Sequence, residues 1–242
     1  MKRLVALVAG CILSPAFALV IGVYELSPHM IVEGQAQPSG AVVDFVNEVL
    51  VNAPELGRVE LRSSNFARNL RELEAGQIDM VFMVAKNEQR QKLFRYASVP
   101  IFSTRSGVIL LSSRKWSAVQ SLEQLRGIKM GHAHGSIIPD YFKPLDIEFQ
   151  SLTGDDYFKR GLKMVELRRH DAYFAPTLTN AQYLLKRTDG AALFSVLPMP
   201  GDALGLYVVF RKTMDERTFM KLDALLSSNV ARYKELLSPY IR

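Results

Sequence analysis

Arg90 stands where binding chemistry is easiest to build. It follows an unbroken apolar run, MVFMVA at residues 80–85, and closes the polar turn KNEQR before the chain returns to LFRYASVPIF. Ligands of open α/β sheets sit beyond the carboxyl ends of strands, and a guanidinium placed there can hold a carboxylate through two parallel charge-assisted hydrogen bonds. The alternative is local: Arg90 pairs with Glu88 or caps the short helix ahead of Leu93.

The histidines invite a different chemistry. His132 and His134 alternate at the end of an apolar strand and so could face one way, with His29 as a third metal ligand. No cysteine or carboxylate stands beside them, and the turn HAHGS explains the local sequence, so neither a metal nor a cofactor is expected. Asp79 and Asp171 each open an apolar strand, where a carboxylate is expected to bond nearby backbone rather than to act in catalysis.

The chain has the length and composition of an ordered globular protein: 242 residues, 48% hydrophobic and 22% charged. Its first eighteen residues differ from the rest. Lys2 and Arg3 precede a short apolar stretch, and Pro15 precedes Ala16-Phe17-Ala18, so residues 1–18 read as a signal peptide cut after Ala18. A lipoprotein signal ending at Cys11 is the rival reading, but it would leave an apolar tail where a polar tether is expected. Cutting after Ala18 removes the only cysteine, and the 30 basic residues less Lys2 and Arg3 leave 28 against 24 acidic, a formal charge of +4. The basic residues are scattered, which speaks against nucleic acid as a partner.

The elements that must position Arg90 follow from periodicity. Residues 19–24, 59–62 and 78–85 read as strands. Between them, residues 42–50 and 66–75 read as helices, stopped by Pro54 and Gly76. This β-α-β-α-β order implies a parallel sheet with crossover helices. After Pro100 it restarts: strands at 108–111, 128–131, 147–149 and 171–175, a short helix at 121–125 with a capping box of Ser121 and Gln124, and helices from about 137, 155 and 177. A strand at 206–211 and C-terminal helices bearing Phe219, Leu222, Leu225 and Leu226 on one face should pack back on the first unit. LEAGQIDMVF and VELRRHDAYF echo one another, each running from a helix end through one Asp into a strand.

With its signal, βαβαβ unit, inserted second unit and returning helices, the chain resembles the periplasmic solute-binding proteins of the amino-acid-binding type, bacterial extracellular solute-binding protein family 3. The stretches that carry the likeness are GVYELSPHMIVEGQAQPSGAVVDFVNEVL, LRELEAGQIDMVF with NEQR, YASVPIF and VQSLEQLRGIKMGHAHGS. The resemblance implies a two-lobed α/β fold, each lobe a mostly parallel sheet flanked by helices. Lobe 1 would comprise residues 19–105 and 205–242 and lobe 2 residues 106–204, with hinges near 103–106 and 202–205. It implies that Arg90 grips a ligand carboxylate and that Gly135 and Ser136, at a helix start, offer donors to the same anion. It places Tyr24, Glu25 and His29 in the loop over the ligand, and Phe66 and Arg68 at the cleft edge.

Two departures bear on the ligand. The family's serines after the third strand are replaced by Met83, Val84, Ala85 and Lys86, and its lobe 2 aspartate by Pro176, so an ordinary α-amino acid lacks a seat for its ammonium unless Glu25 supplies the charge. The expected function is non-enzymatic: a periplasmic monomer that captures a small anionic solute for a membrane transporter. The rivals are a sensor component that docks on a receptor, or a lyase of the cyclohexadienyl dehydratase kind using Glu25.

Overall fold

The computed structural model describes residues 18–241 apart from positions 33, 35, 117, 155 and 202. The expected signal segment up to Phe17, with Cys11, therefore lies outside the described residues. β1 (Ala18–Val23), α1 (Ala41–Phe45, continuing as a π-helical stretch over Val46–Leu50), β2 (Arg58–Ser63), α2 (Phe66–Glu74) and β3 (Met80–Ala85) form the expected alternation. α3 (Glu88–Leu93), β4 (Phe94–Tyr96) and β5 (Phe102–Thr104) follow. A second series comprises β6 (Gly107–Leu111), β7 (Lys129–Ala133), β8 (Glu148–Leu152), α4 (Tyr157–Glu166), β9 (Ala172–Ala175), α5 (Leu178–Lys186) and β10 (Phe194–Pro198). The chain then returns through β11 (Leu204–Arg211), α6 (Glu216–Ser228) and α7 (Val230–Ile241).

The strands make two sheets, ordered β2-β1-β3-β11-β4 with β5 also on β11, and β10-β6-β9-β7-β8. In each, three strands run parallel (β2, β1 and β3; β8, β7 and β9) and antiparallel strands extend the edge. β4, β5 and β10 are short edge strands that periodicity does not reveal, because three to five residues carry too little alternation. The chain crosses between the sheets at residues 105–106 and 199–203.

Burial explains the pattern. All six residues of β3 are buried, since helices cover both faces of that sheet. In the second sheet, Val108 and Leu110 join Met130, Phe142 and Phe174 on one face, while Ile109 joins Leu162, Val165 and Tyr173 on the other. The two-residue strand period sorts them. Leu222 and Leu226 of α6 and Tyr233 and Leu237 of α7 enter the core of the first sheet, as the apolar face of the C-terminal helices predicts.

One expected helix does not form. Residues 136–139 are irregular, and only a 3-10 turn, Asp140–Leu145, follows. Pro139 biases Ile138 away from helical geometry, and Pro144 lacks the N–H a helix would use. The segment at 122–125 is likewise 3-10, although its Ser121–Gln124 capping box is present.

The echo between the units is a shared joint. Asp79 accepts the backbone N–H of Val20 (2.8 Å) and pairs with Arg211 (2.8 Å); Asp171 accepts that of Lys129 (3.0 Å) and pairs with Arg114. Each carboxylate thus locks its strand to a parallel neighbour. Asp79→Ala leaves the Val20 N–H and the Arg211 guanidinium without their partner, and is expected to cost about 2 kcal/mol in a urea titration.

Candidate functional site

The parallel strands of both sheets point their carboxyl ends at one cavity of about 750 Å³ between the lobes. β1 delivers Tyr24 and Glu25, β2 delivers Ser63, Ser64 and Asn65, and β3 delivers Ala85 and Lys86. From the other side, β7 delivers His134, Gly135 and Ser136, β8 Thr153 and Gly154, and β9 Pro176 and Thr177. Strand direction dictates this, because loops leaving the same end of a parallel sheet must converge.

Arg90 is placed by Asn87, whose side chain caps α3 by accepting the Arg90 N–H at 2.8 Å. Its guanidinium reaches inward: Nη1 donates to the Ala85 carbonyl (3.3 Å), Nη2 to the Gly135 carbonyl of the opposite lobe (3.1 Å), and its centre lies 5.1 Å from the Phe66 ring. Neither local alternative holds, since Glu88 forms no ion pair with it and its cap is backbone, not side chain. Burial lowers the guanidinium's pKa, yet the ordinary value is so high that it stays charged.

Tyr24 packs against Phe66 in a tilted ring pair, centroids 4.7 Å apart, and donates to the Met83 carbonyl at 2.9 Å. Met83 adopts a φ of 60°, a left-handed backbone rare for a side-chain-bearing residue, inside β3. Burial raises the Tyr24 pKa well above the phenol range, so it remains a neutral donor. Glu25 is occupied by its own loop: Oε1 accepts from the Ser27 N–H (2.9 Å) and hydroxyl (2.5 Å), and Oε2 from the Val32 N–H (2.8 Å). Arg68 lies at the rim, 64% exposed and paired at 2.6 Å with Glu72 one turn along α2.

Gly135 has a φ of 79° and faces Phe66 so closely that an added Cβ would lie 3.3 Å from its ring. Ser136 follows it in a turn rather than at a helix start, so the row of free helical N–H groups expected there is absent; its hydroxyl lines the cavity nonetheless. Gly135→Ala is expected to lower folding stability by about 1–2 kcal/mol, through backbone strain, and to crowd Phe66. Comparing thermal midpoints with and without a bound solute separates the two effects.

Thus Tyr24, Glu25, Phe66, Arg68, Arg90, Gly135 and Ser136 all line one cavity. His29 does not. It is fully buried behind the cleft, its Nδ1 2.6 Å from the Tyr233 hydroxyl and its ring 4.8 Å from Phe102. His132 and His134 turn to different partners, the Ala133 carbonyl and the Ser151 hydroxyl, and among the described residues no group of three or more metal-ligating side chains converges.

Several lining residues have no signal in the sequence reading. Tyr157, Tyr173, Thr177 and Asn180 come from lobe 2, and Arg71 and Lys86 from lobe 1. Lys86 directly follows β3 and Thr177 comes two residues after β9, the position from which they could have been found. Tyr173 carried only its apolar strand pattern. Asn180 donates across the lobes to the Ser27 carbonyl at 2.5 Å, a second bridge beside Arg90–Gly135.

The sequence profile of the bacterial extracellular solute-binding proteins, family 3, matches residues 19–237. The chain belongs to that family. No curated protein sequence matches this family 3 protein. Among solved structures, its fold is similar to an amino acid ABC transporter substrate-binding protein from Streptococcus pneumoniae bound to L-arginine, at 19% identity and a TM-score of 0.73 over 93% of this chain and 94% of the other. An ancestral amino-acid-binding protein described as a precursor of cyclohexadienyl dehydratase matches at 17% identity and TM-score 0.73, over 93% and 95%. A histidine kinase sensor domain with similarity to periplasmic binding proteins matches at 14% identity and TM-score 0.75, over 93% and 96%. At these identities the likeness is one of fold. As a family 3 solute-binding protein, the chain has a small-solute-binding role and a place outside the cytoplasmic membrane.

Proposed function

We propose that this protein captures a small carboxylate-bearing solute between its lobes in the periplasm, as a monomer, and delivers it to an ABC-type transporter. The observation that carries this reading is Arg90: a half-buried guanidinium lining the inter-lobe cavity with no carboxylate partner among the described residues. One charge-bearing fork left without a counter-ion in such a place is matched by a ligand carboxylate. The segments near 103–106 and 202–205 serve as hinges between lobe 1 (residues 19–105 and 205–242) and lobe 2 (residues 106–204), and residues 1–18 serve as the export signal. Ser136, Gly135, Tyr24 and Phe66 complete the solute's surroundings.

The test is a thermal-shift series on protein recovered from the periplasm, against small carboxylic acids, repeated with Arg90→Ala. A solute at about 100 times its dissociation constant adds about 2.7 kcal/mol to the folded state. A shift that disappears in the variant supports the clamp; one that persists undiscounted removes Arg90 from the site. Terminal sequencing of the same material, expected to begin at Leu19, checks the signal.

The likeness to a histidine kinase sensor domain favours one alternative, a binding component that reports to a receptor. Co-purification with membrane proteins distinguishes the two by the partner retained. Catalysis has less support, since the carboxylate a lyase would use, Glu25, already takes three donors from Ser27 and Val32.

A further inference from the structure

We infer that the solute is an organic acid with two anionic groups and no ammonium, the first held by Arg90 and the second by Lys86. This rests on the cleft reading above and narrows its ligand to a chemical class.

The charges lining the cavity do not balance. Arg68 is neutralised by Glu72, but Arg71, Lys86 and Arg90 have no ion-pair partner among the described residues. Among the described residues Glu25 is the single carboxylate lining the cavity, and three hydrogen bonds already fall on its two oxygens. Among the described residues, three cations therefore share a cavity with one acid that its own loop has claimed. A solute ammonium would add a further positive charge to a partly desolvated space that already has a surplus, where repulsion is weakly screened.

Lys86 is the better-placed second cation. Its Nζ rests 4.3 Å from the Tyr207 ring and 5.2 Å from the Tyr96 ring, and aromatic faces hold an ammonium in position without cancelling its charge. The Tyr96 hydroxyl donates to the Ala85 carbonyl at 3.1 Å, the same carbonyl that accepts from Arg90, so both cations are braced on the exit of β3. Arg71 is exposed like Lys86, but it lies at the junction of the cavity with a neighbouring groove and among the described residues has no aromatic face holding its charge in position.

The described residues of the opposite wall are uncharged. β9 exits through Ala175, Pro176 and Thr177, and no carboxylate stands there. Just behind it lie two hydroxyls, Tyr173 Oη and Thr177 Oγ1, each buried, each on a residue lining the cavity, and each without a hydrogen-bond partner. Burial raises the Tyr173 pKa, which keeps that hydroxyl a neutral donor. Buried hydroxyls left unpaired are costly, and a carboxylate oxygen, acceptor only, satisfies them as donors.

Isothermal titration with matched probes tests this: succinate through suberate as the dicarboxylates, aspartate and glutamate as their amino counterparts, and butyrate as the monoacid. A dicarboxylate is expected to bind at least about tenfold tighter than both its amino counterpart and butyrate. Lys86→Met should erase that advantage over butyrate, whereas Arg71→Met, which removes a cavity charge but not the second seat, should preserve it. If aspartate or glutamate binds as tightly as succinate or glutarate and Arg90→Ala still abolishes it, the dianion class is wrong and the carboxylate clamp stands. If no acid binds, both fall. A dicarboxylate preference that survives Lys86→Met overturns the role given to Lys86.

Discussion

Arg90→Ala is expected to weaken binding of the solute about a hundredfold or more, because hydrogen bonds to a charged partner are worth about 1.5–3 kcal/mol each and a guanidinium makes two in parallel. The measurement is a direct titration of variant and parent against the same acid. The substitution also removes the bonds from Arg90 to the Ala85 and Gly135 carbonyls, the second of which joins the lobes. Folding of each lobe does not depend on them, since both carbonyls lie at the cleft and neither core includes Arg90. The thermal midpoint of the ligand-free protein should therefore move little while binding collapses. Arg90→Lys separates charge from shape: an ammonium keeps the attraction but not the planar fork, so intermediate affinity is expected. Affinity equal to the parent in either variant would exclude the clamp.

Acid should destabilise the protein through His29, by about 3 kcal/mol between pH 7 and pH 4. Burial lowers the pKa of His29 to about 4. Its Nδ1 is engaged with Tyr233, its Nε2 has no partner, and protonation would place a charge in the apolar core beside Phe102. The unfolded imidazole titrates near pH 6.5 and so takes up its proton first as pH falls. The contribution is complete above about pH 6.5 and is lost progressively toward pH 4. Burial also lowers the pKa of His170, so the decisive comparison is between the parent and His29→Gln across the same pH range. The variant should be less stable at pH 7, where Tyr233 loses a well-fitted partner, yet show a shallower acid dependence. Parallel curves for the two proteins would mean that His29 does not carry the proton linkage.

His29 also shows where reading a sequence stops. It lies in the loop after β1, three residues beyond Leu26, and chain position suggested the cleft. The loop instead turns inward: Leu26 and Met30 bond to each other, and His29 is carried under the sheet to meet Tyr233 of α7, 204 residues away. Nothing within the loop encodes that partner. The missing helix after Ser136 is a different case, because Pro139 and Pro144 are visible in the sequence and the propensity argument was available.

By itself, the sequence determined the alternation of strands and helices, the insertion of the second unit, a structural rather than catalytic part for Asp79 and Asp171, and Arg90 at a strand's carboxyl end. Those are local facts, set by periods of two and 3.6 residues, by caps such as Ser121 with Gln124, and by stops such as Gly76. Only the tertiary structure decided which side chains share the cavity: that Glu25 is consumed by its own loop, that Lys86 is braced by Tyr96 and Tyr207, and that the lining residues Tyr173 and Thr177 carry buried, unpaired hydroxyls. The physical reason is that a cleft residue's neighbours are chosen by sheet order, by strand register and by how the two lobes meet, and these pair positions far apart in the chain that no local period relates.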